Sequence, residues 1–483
     1  MGIQLYNTLT RTKEPLVTCQ PGRLGIYVCG VTVYDYCHIG HARVMVVFDV
    51  VVRHLRASGL DVTYVRNFTD IDDKIIRRAE ERGISITTLT EQFIAAFHQD
   101  MDALGVLRAD IEPKATEHLA EMQTIIQQLV SGGVAYPRDG DVYFAVDRHA
   151  GYGKLSGKDL EDQWAGARVA VAEKKDNPLD FVLWKGAKPG EPQWISPWGP
   201  GRPGWHIECS AMSAKYLNGR FDIHGGGRDL IFPHHENEIA QSEAATGQAF
   251  FRYWMHNGFV NVLADSGERE KMSKSLGNFR TIQDLLKVYP GEVLRLFILN
   301  SHYRAPLDFS LELLDAARAG CDRYYTALAQ ARERLGGEPL AVAMSPLTPQ
   351  AAAGGLFARE VERFHQAMDD DFNTPQALAV LFEVVRRLNT ATDPEEWRQG
   401  VAALRGLGVI LGLAGAAPEQ WFQEAAPGED GPTAEEISAI IARRTAARQA
   451  RDWAESDRLR DELAARGVVL KDSREGTTWS RVR

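Results

Sequence analysis

The chain has 483 residues, 44% of them hydrophobic and 25% charged, which predicts a globular protein of several domains. A net charge of −10 argues against a protein that binds nucleic acid by charge alone. No apolar run reaches the roughly 20 residues of a membrane span, and the amino-terminal stretch lacks a signal-peptide core. The five cysteines are scattered, unlike a disulfide framework. We expect a cytoplasmic protein with no membrane partner.

The predicted elements begin with a β–α–β unit, which indicates a parallel α/β sheet. Residues 24–30 form a buried strand that ends in a glycine, and residues 61–68 form the next strand. Between them a helix begins near Gly40, with Gly59 as its predicted carboxyl-terminal cap. Residues 87–131 have a helical pattern.

The middle of the chain is rich in Gly, Pro and Trp over residues 132–204. Two short strand-like pieces, DVYFAV (141–146) and DFVLWK (180–185), lie within it, so we interpret this stretch as an insertion into the α/β domain. The α/β pattern then resumes with a helix over 208–217, a short strand at FDIHGG and a helix from about Pro233.

The carboxyl-terminal part is predicted to be helical from about residue 307 to 414, with apolar spacing suited to a bundle. A linker rich in Pro, Gly and acids follows at 424–433. Thr433 and Glu436 then form the pattern of a capping box. Two amphipathic helices and one short strand, GVVLKDS, are predicted after it.

Two short segments carry the pattern of phosphate chemistry. His38-Ile39-Gly40-His41 lies where the first strand meets a helix, and helix amino-termini offer N–H groups to anions. KMSKSLGN (271–278) places Lys271 and Lys274 in a loop before a glycine, which suits contact with a polyphosphate. Each segment alone also has a simpler interpretation: the histidines could be structural, and the lysine segment could be a solvated surface turn.

A third segment, FPHHENE (232–238), holds two histidines and two glutamates. Local spacing is compatible with a metal site, an acid/base pair or the polar end of a helix. In a helix His234 and Glu238 share a face, whereas His235 points about 100° away, in register with Ile239. The order does not match the H-E-x-x-H pattern of zinc proteases.

Taken together, the first two segments resemble the HIGH and KMSKS motifs of class I aminoacyl-tRNA synthetases, letter for letter. The surrounding stretches are similar to cysteinyl-tRNA synthetases along essentially the whole chain. The stretches that carry this resemblance are 27–43, 66–76, 203–212, 222–241, 370–378 and 451–479.

The resemblance implies an α/β fold class: a Rossmann-type parallel-sheet catalytic domain with an inserted connective domain, then a helical bundle and a small mixed α/β domain. The predicted boundaries are 1–120 and 201–260 for the two halves of the catalytic domain, 121–200 for the connective insertion, 261–310 for the KMSKS loop and stem-contact region, 311–424 for a tRNA-binding helical bundle and 433–483 for an anticodon-binding domain. Residues 261–270 look longer and more charged than is usual for the family, which predicts an extended hairpin.

The family also uses one zinc ion per chain. By motif its ligands map to Cys29, Cys209, His234 and Glu238, and helical spacing favours His234 over His235, which we expect to pack beside the site. Such a site suits an enzyme that must reject serine, because an apolar pocket separates near-isosteres by only about 1–3 kcal/mol. Zinc binds a thiolate far better than a hydroxyl.

The implied reaction is the ATP-dependent activation of L-cysteine to cysteinyl-adenylate and its transfer to the 3′ end of tRNA(Cys), with Mg²⁺ accompanying ATP. His38, His41, Lys271 and Lys274 are the predicted catalytic residues. The ATP contacts are predicted at His38, Gly40, His41, Gly226, Asp229 and Lys274, and the cysteine contacts at Gly30, Thr32, Thr69 and Trp205. A monomer is expected. Plausible anticodon contacts are Trp453, Arg458, Arg460 and Trp479, although the tryptophans fit a domain core equally well.

Two other functions remain open at this point. A cysteine ligase of the mycothiol type would join cysteinyl-adenylate to a glucosaminyl-inositol amine with the same adenylating half. The 208 residues after the KMSKS motif, residues 276–483, argue against it, because a small amine needs no anticodon-reading domain. A non-enzymatic tRNA-binding paralogue would carry broken nucleotide motifs, whereas both are intact.

Overall fold

A computed structural model describes residues 2–157, 175–219, 221–263, 269–271, 280–337, 345–423, 431–473 and 476–481. The chain divides into two compact units. The first unit comprises Met1–Ile282, Ile298–Ser310 and Arg363–Leu378, and the second Gln283–Phe297, Leu311–Glu362 and Ala379–Arg483. Every helix in the described part is too short or too polar to cross a membrane.

The strands, in chain order, are β1 Gln4–Asn7, β2 Thr12–Pro15, β3 Arg23–Thr32, β4 Asp61–Thr69, β5 Ala135–Arg138, β6 Asp141–Phe144, β7 Phe181–Gly186, β8 Gly201–Pro203, β9 Ile223–Gly227, β10 Tyr253–Asn257, β11 Val260–Leu263, β12 Arg269–Lys271, β13 Leu307–Phe309, β14 Val468–Ser473 and β15 Gly476–Arg481.

The α-helices are α1 Ile39–Ala57, α2 Asp73–Arg82, α3 Ile86–Ala103, α4 Leu119–Ser131, α5 Trp205–Leu217, α6 Glu236–Thr246, α7 Ile282–Leu286, α8 Gly291–Leu299, α9 Leu311–Arg334, α10 Pro349–Ala352, α11 Ala358–Asp369, α12 Thr374–Thr390, α13 Pro394–Leu411, α14 Pro418–Gln423, α15 Ala434–Gln449 and α16 Trp453–Ala465. Short 3₁₀ turns cover Ala115–Glu117, Val146–Arg148 and Arg228–Leu230, and a π-helical turn covers Ile231–His235.

The centre of the first unit is a parallel sheet in the order β10–β9–β3–β4. Strand β3 is buried from Leu24 to Cys29, as expected of a strand covered on both faces. It leads through α1 into its parallel neighbour β4, so the predicted β–α–β unit is confirmed. Because the strands are parallel, the carboxyl ends of β3, β4 and β9 lie along one edge of the sheet, and the candidate site is built there.

The stretch interpreted as an insertion forms an antiparallel sheet in the order β5–β6–β7–β8. The two strands predicted there correspond to β6 and β7. The helix predicted over 87–131 is interrupted instead: α3 stops at Ala103, and Gly105 turns the chain with φ +64°. A loop then leads to α4 at Leu119.

A small three-stranded sheet completes the first unit, in the order β12–β11–β13. Strands β11 and β12 are antiparallel, with Asn261 opposite Lys271. The two strands of the hairpin predicted over 261–270 are therefore present. Its tip, residues 264–268, lies outside the described residues.

The second unit is mainly helical, as predicted. In its last part Thr433 and Glu436 form the predicted capping box: Glu436 N donates to Thr433 Oγ1 at 3.2 Å, and Thr433 N donates to Glu436 Oε2 at 3.0 Å. A small core of buried aliphatic residues from α15, α16 and β14 follows. The sequence predicted β14 but not its antiparallel partner β15.

Candidate active site and metal centre

A cavity of about 380 Å³ opens where β3 ends and α1 begins. Helix α5 and the turn after β9 close its other sides. It is lined by Cys29, Gly30, Val31, Thr32, Tyr34, Asp35, Tyr36, Cys37, His38, His41, Val44, Met45, Lys74, Trp205, Gly227, Asp229 and Leu230. The sequence predicted seven of these as site residues, from stretches far apart in the chain.

The two histidines of the HIGH motif form the amino-terminal cap of α1. The His38 Nδ1 atom accepts from Gly40 N at 3.0 Å, and the His38 N–H donates to His41 Nδ1 at 3.2 Å. Since each Nδ1 accepts a hydrogen bond, each neutral ring carries its hydrogen on Nε2. The cap therefore presents ring donors at a positive helix end, an arrangement suited to phosphate.

Gly40 has a steric reason to lack a side chain. A Cβ there would lie 2.7 Å from His38 Cε1 and 2.8 Å from Nδ1, so any larger residue would displace the capping ring. The packed His38 ring is therefore the observed constraint at this position.

Four predicted zinc ligands converge beneath this cavity, all of them buried. Cys29 Sγ lies 3.5 Å from Cys209 Sγ and 3.4 Å from Glu238 Oε1. His234 Nε2 lies 3.6 Å from Cys209 Sγ and 3.0 Å from Glu238 Oε1. Strand β3 brings Cys29, helix α5 brings Cys209, and the turn into α6 brings His234 and Glu238.

The three distances that involve sulphur, 3.4–3.6 Å, agree with a tetrahedral metal site, and the 3.0 Å between His234 and Glu238 is somewhat shorter. A tetrahedral zinc ion, about 2.3 Å from sulphur and about 2.0 Å from nitrogen or oxygen, separates its ligand atoms by roughly 3.3–3.8 Å. The donor set of two sulphurs, one imidazole and one carboxylate also matches the preferences of zinc. All four residues are buried, and buried charges are stabilised when they are paired or coordinate a metal.

The His235 ring packs beside the site, as expected, but its expected direction, about 100° away from the ligands, is wrong. Its Nε2 atom lies 3.3 Å from Cys29 Sγ, so the ring borders the cluster instead of pointing away from it. His235 and Glu238 are three residues apart, a spacing that also places two side chains on one helix face, and His235 Nε2 lies 4.0 Å from Glu238 Oε1. Phe232, the residue of this turn with non-helical φ and ψ of −139° and 131°, precedes both histidines.

His235 and His224 define a second group that could hold a metal, together with Cys29 and Glu238. His224 Nε2 lies 3.5 Å from Cys29 Sγ and 3.3 Å from Glu238 Oε2. The His224 side chain stacks on Tyr27, with ring centroids 5.3 Å apart, and faces the metal cluster.

Opposite charges in the cluster stabilise one another. Burial raises the pKa of Glu238, but His224 and His234 outweigh burial and lower it to about 2. Burial lowers the pKa of His234, but Glu238 and Cys209 outweigh it and raise it to about 10.

The two thiols differ in their protonation. Burial and the neighbouring Cys209 raise the pKa of Cys29 well above its ordinary value. Burial also raises the pKa of Cys209, but the hydrogen bond from Cys29 and the charge on His234 lower it to about 6. At neutral pH without metal, the Cys29 thiol therefore donates to a Cys209 thiolate.

Trp205 forms a wall between the cavity and the cluster. The ring stacks on His234, with centroids 4.3 Å apart and an interplanar angle of 30°, and 39% of the residue is exposed. The exposed face and the position in the cavity lining favour a pocket wall over a core aromatic. His206, the next residue, lies 2.9 Å from His234 Nδ1 through its own Nδ1 and orients that ring.

The predicted cysteine contacts divide into two groups. Gly30 and Thr32 line the cavity; a Cβ on Gly30 would lie 1.6 Å from the Asn67 carbonyl oxygen. Thr69 is outside the lining. Its buried hydroxyl donates to Glu208 Oε2 at 2.7 Å, and burial raises the pKa of Glu208 well above its ordinary value.

The predicted ATP contacts are also divided. Asp229 lines the cavity, whereas Gly226 does not; a Cβ on Gly226 would lie 2.9 Å from His235 Cε1. Lys271 is the last residue of β12. Lys274 lies outside the described residues.

Sequence reasoning left Glu236 and Asn237 unassigned. Both are buried, and both hold the loop that follows the 3₁₀ turn at 146–148. Glu236 accepts from the backbone N–H groups of Gly153, Leu155 and Ser156, and Asn237 Oδ1 accepts from Tyr152 at 2.6 Å. The only sign of this role in the sequence was that an acidic and an amide residue lie between two predicted metal ligands.

Of the four residues suggested as anticodon contacts, Trp453 is 59% exposed, whereas Trp479 packs against the small core of its domain. Arg458 pairs with Glu455 at 2.6 Å, and Arg460 pairs with neighbouring aspartates. Trp479 is therefore part of the domain core, whereas Trp453 has an exposed surface that a partner could contact.

Three protein-family models match the chain: tRNA synthetases class I (C) catalytic domain over residues 15–319, DALR domain over residues 363–415, and cysteinyl-tRNA ligase anticodon binding domain over residues 430–479. A cysteine–tRNA ligase of Magnetococcus marinus is 65% identical over 486 residues, which cover 100% of this chain and 98% of the relative. A cysteine–tRNA ligase of Thioalkalivibrio sulfidiphilus is 58% identical, with 99% and 100% covered. The fold is that of Mycobacterium tuberculosis methionyl-tRNA synthetase solved with methionyl-adenylate, with a TM-score of 0.54, 16% identity and coverage of 84% and 92%.

Proposed function

We propose, from the premise that this chain belongs to the cysteinyl-tRNA synthetase family of class I aminoacyl-tRNA synthetases, that it selects L-cysteine through a metal centre of Cys29, Cys209, His234 and Glu238. Family membership makes it an ATP-dependent ligase that acts on an amino acid and a tRNA. The observation that carries the proposal is the position of the four donor atoms, within 4.8 Å of one another and next to a cavity lined by Cys29 and both HIGH histidines.

The metal in this proposal is zinc. When bound, it supplies a thiophilic Lewis acid that accepts the thiolate of cysteine and discriminates against the hydroxyl of serine. Cys29 lines the cavity, and Trp205 stacks on the neighbouring ligand His234. The protein ligands are therefore close to where an amino-acid side chain would enter.

In this proposal His38 and His41 position the phosphates of ATP during adenylate formation. The carboxylate of cysteine attacks the α-phosphate of ATP, and pyrophosphate leaves with the electron pair of the broken P–O bond. His38 and His41 would donate from Nε2 to phosphate oxygens, and Lys271 and Lys274 would neutralise the departing pyrophosphate. Neither adenylate formation nor the transfer to tRNA needs a protein nucleophile. Rate acceleration therefore comes from orientation and charge stabilisation.

The acceptor is tRNA in this proposal. The match of residues 430–479 to an anticodon-binding domain supports a tRNA substrate, and relatives matched over their full length are cysteine–tRNA ligases. The alternative acceptor, a glucosaminyl-inositol amine, is not favoured, because it has no anticodon for such a domain. A single chain as the active unit remains a prediction.

Aminoacylation of total tRNA with each of the twenty amino acids, with metal analysis of the same sample, tests the proposal. We expect charging by cysteine alone and about one zinc per chain. Charging by serine at a rate near that of cysteine, or full activity without bound metal, would contradict it. Cysteine-dependent ATP–pyrophosphate exchange separates the first step from transfer.

A further inference from the structure

Arg43 is a buried arginine with no acidic partner among the described residues. It lies on α1, just beyond the HIGH motif, and its side chain is fully buried. No carboxylate in the described ranges pairs with it, and burial alone lowers its pKa, to about 10. It therefore stays charged at neutral pH. A charged group in such a place needs other partners.

The partners of Arg43 are main-chain carbonyl groups. Nη1 donates to Phe259 O at 2.8 Å, and Nη2 donates to Tyr303 O at 3.2 Å and to Ala305 O. His302 O lies 3.3 Å from Nη2. One guanidinium thus gathers four carbonyl oxygens from two separate segments.

Those segments lead directly into two strands of the small sheet. Phe259 immediately precedes β11, and Ala305 lies two residues before β13. The segments touch closely, because a Cβ on Gly258 would lie 2.3 Å from Ala305 O. Strand β11 pairs in turn with β12, which ends at Lys271, the first lysine of the KMSKS motif.

The chain after the motif is also tied to the start of α1. Ile282 N donates to Cys37 O at 2.9 Å, and Thr281 forms a β-bridge with His38. The polypeptide is therefore attached to the HIGH region on both sides of the KMSKS motif, and the Arg43 side chain provides the attachment on the amino-terminal side.

We propose that Arg43 is a positioning residue that holds the β11–β12 hairpin, and with it Lys271, in register with His38 and His41 for adenylate formation. This inference rests on the proposed function. Only a planar fork with several donors can bind carbonyls on two segments at once. A lysine at this position keeps the charge but loses that geometry.

Arg43→Lys tests the inference in cysteine-dependent ATP–pyrophosphate exchange. We expect kcat to fall about 10- to 100-fold, as misplacement by roughly 1 Å can cause, while KM for cysteine and zinc content stay within twofold of wild type. The matched control is Arg53→Lys on the same helix, where the arginine binds Asp49 at 2.8 Å and Gly105 O at 2.8 Å, away from the hairpin. We expect that control to keep its kcat.

Equal kcat in the two variants, or a change in KM for cysteine as large as that in kcat, would overturn the inference. Should Arg43→Lys fail to fold, Gly258→Ala perturbs the same contact from the other side, by pushing on Ala305 O, and must show the same selective loss of kcat. A wild-type protein without cysteine-dependent exchange would instead refute the proposed function, and the role of Arg43 with it.

Discussion

The sulphur atoms of Cys29 and Cys209 lie 3.5 Å apart, although 180 residues separate them in the chain. One sits near the end of a central strand and the other in the first turns of α5. Their pairing is polar and not covalent: both cysteines are free, and the Cys29 thiol donates to Cys209. This contact brings the two halves of the candidate metal centre together.

Replacing Cys209 by serine should remove the metal and the preference for cysteine. A hydroxyl is a poor zinc ligand, so we expect less than about 0.1 zinc per chain and at least a tenfold loss of cysteine-over-serine selectivity in exchange assays. Cys19→Ser is the matched control, because Cys19 is exposed and outside the site. Unchanged zinc content in Cys209→Ser would refute the ligand assignment.

Metal binding should release about two protons per chain near pH 7.5, because ligands must be deprotonated. Without metal, Cys29 is protonated since its pKa is raised, and His234 is protonated since its pKa is about 10. Cys209, with a pKa of about 6, is already a thiolate. The release should grow below pH 6 and shrink above pH 10. Calorimetric titration with zinc in buffers of different ionisation enthalpy measures it; a value near zero at pH 7.5 would contradict the charge assignment.

Gly40→Ala should disturb the phosphate cap without touching the cysteine pocket. The new methyl group would meet the His38 ring, so the ring must rotate and lose its bond from Gly40 N. We expect kcat for ATP–pyrophosphate exchange to fall about 10- to 100-fold, with zinc content unchanged. Gly415→Ala, where a Cβ meets no atom within 4 Å, is the control. Wild-type exchange in Gly40→Ala would exclude a positioning role for the cap.

Glu236→Gln should destabilise the first unit. Its buried carboxylate accepts three backbone N–H bonds, and an amide turns one acceptor into a donor that faces an N–H group. The expected loss is about 1–3 kcal/mol in the free energy of unfolding, measured by urea denaturation. Glu121→Gln breaks only an exposed pair with Lys215 and should cost less than about 1 kcal/mol. Equal losses would show that the three bonds contribute little.

Two arginines on the second unit are predicted to contact tRNA phosphates. Arg323 and Arg386 border a groove of about 210 Å³ between α9 and α12, and neither has an acidic partner among the described residues, in a chain of net charge −10. Each change to glutamine should lower kcat/KM for tRNA and reduce the salt dependence by about one ion, while ATP–pyrophosphate exchange is unchanged. Arg398→Gln, whose arginine already pairs with Glu395, is the control; an equal effect there would argue against the groove.

The motifs of the chain were sufficient to predict the α/β fold class, the family and the four residues that meet in the candidate metal centre, because HIGH, KMSKS and the cysteine and histidine stretches are local patterns. Periodicity predicted β3, α1 and β4, since a covered strand and an amphipathic helix have distinct spacings. It did not predict β15, whose pairing with β14 is a tertiary event.

Tertiary structure alone decided which polar side chains meet. Packing of α6 against β3 brings His235 Nε2 to 3.3 Å from Cys29 Sγ, and strand register brings His224 to the same cluster. Arg43 reads as an ordinary helical arginine in the sequence. Its partners are backbone carbonyls on segments distant in the chain. Every residue has such a carbonyl group, so residue types do not reveal these partners. Sequence thus determined which functional groups this protein has. Packing determined which of those groups share a buried, poorly hydrated space, where their electrostatic interactions are stronger than in water.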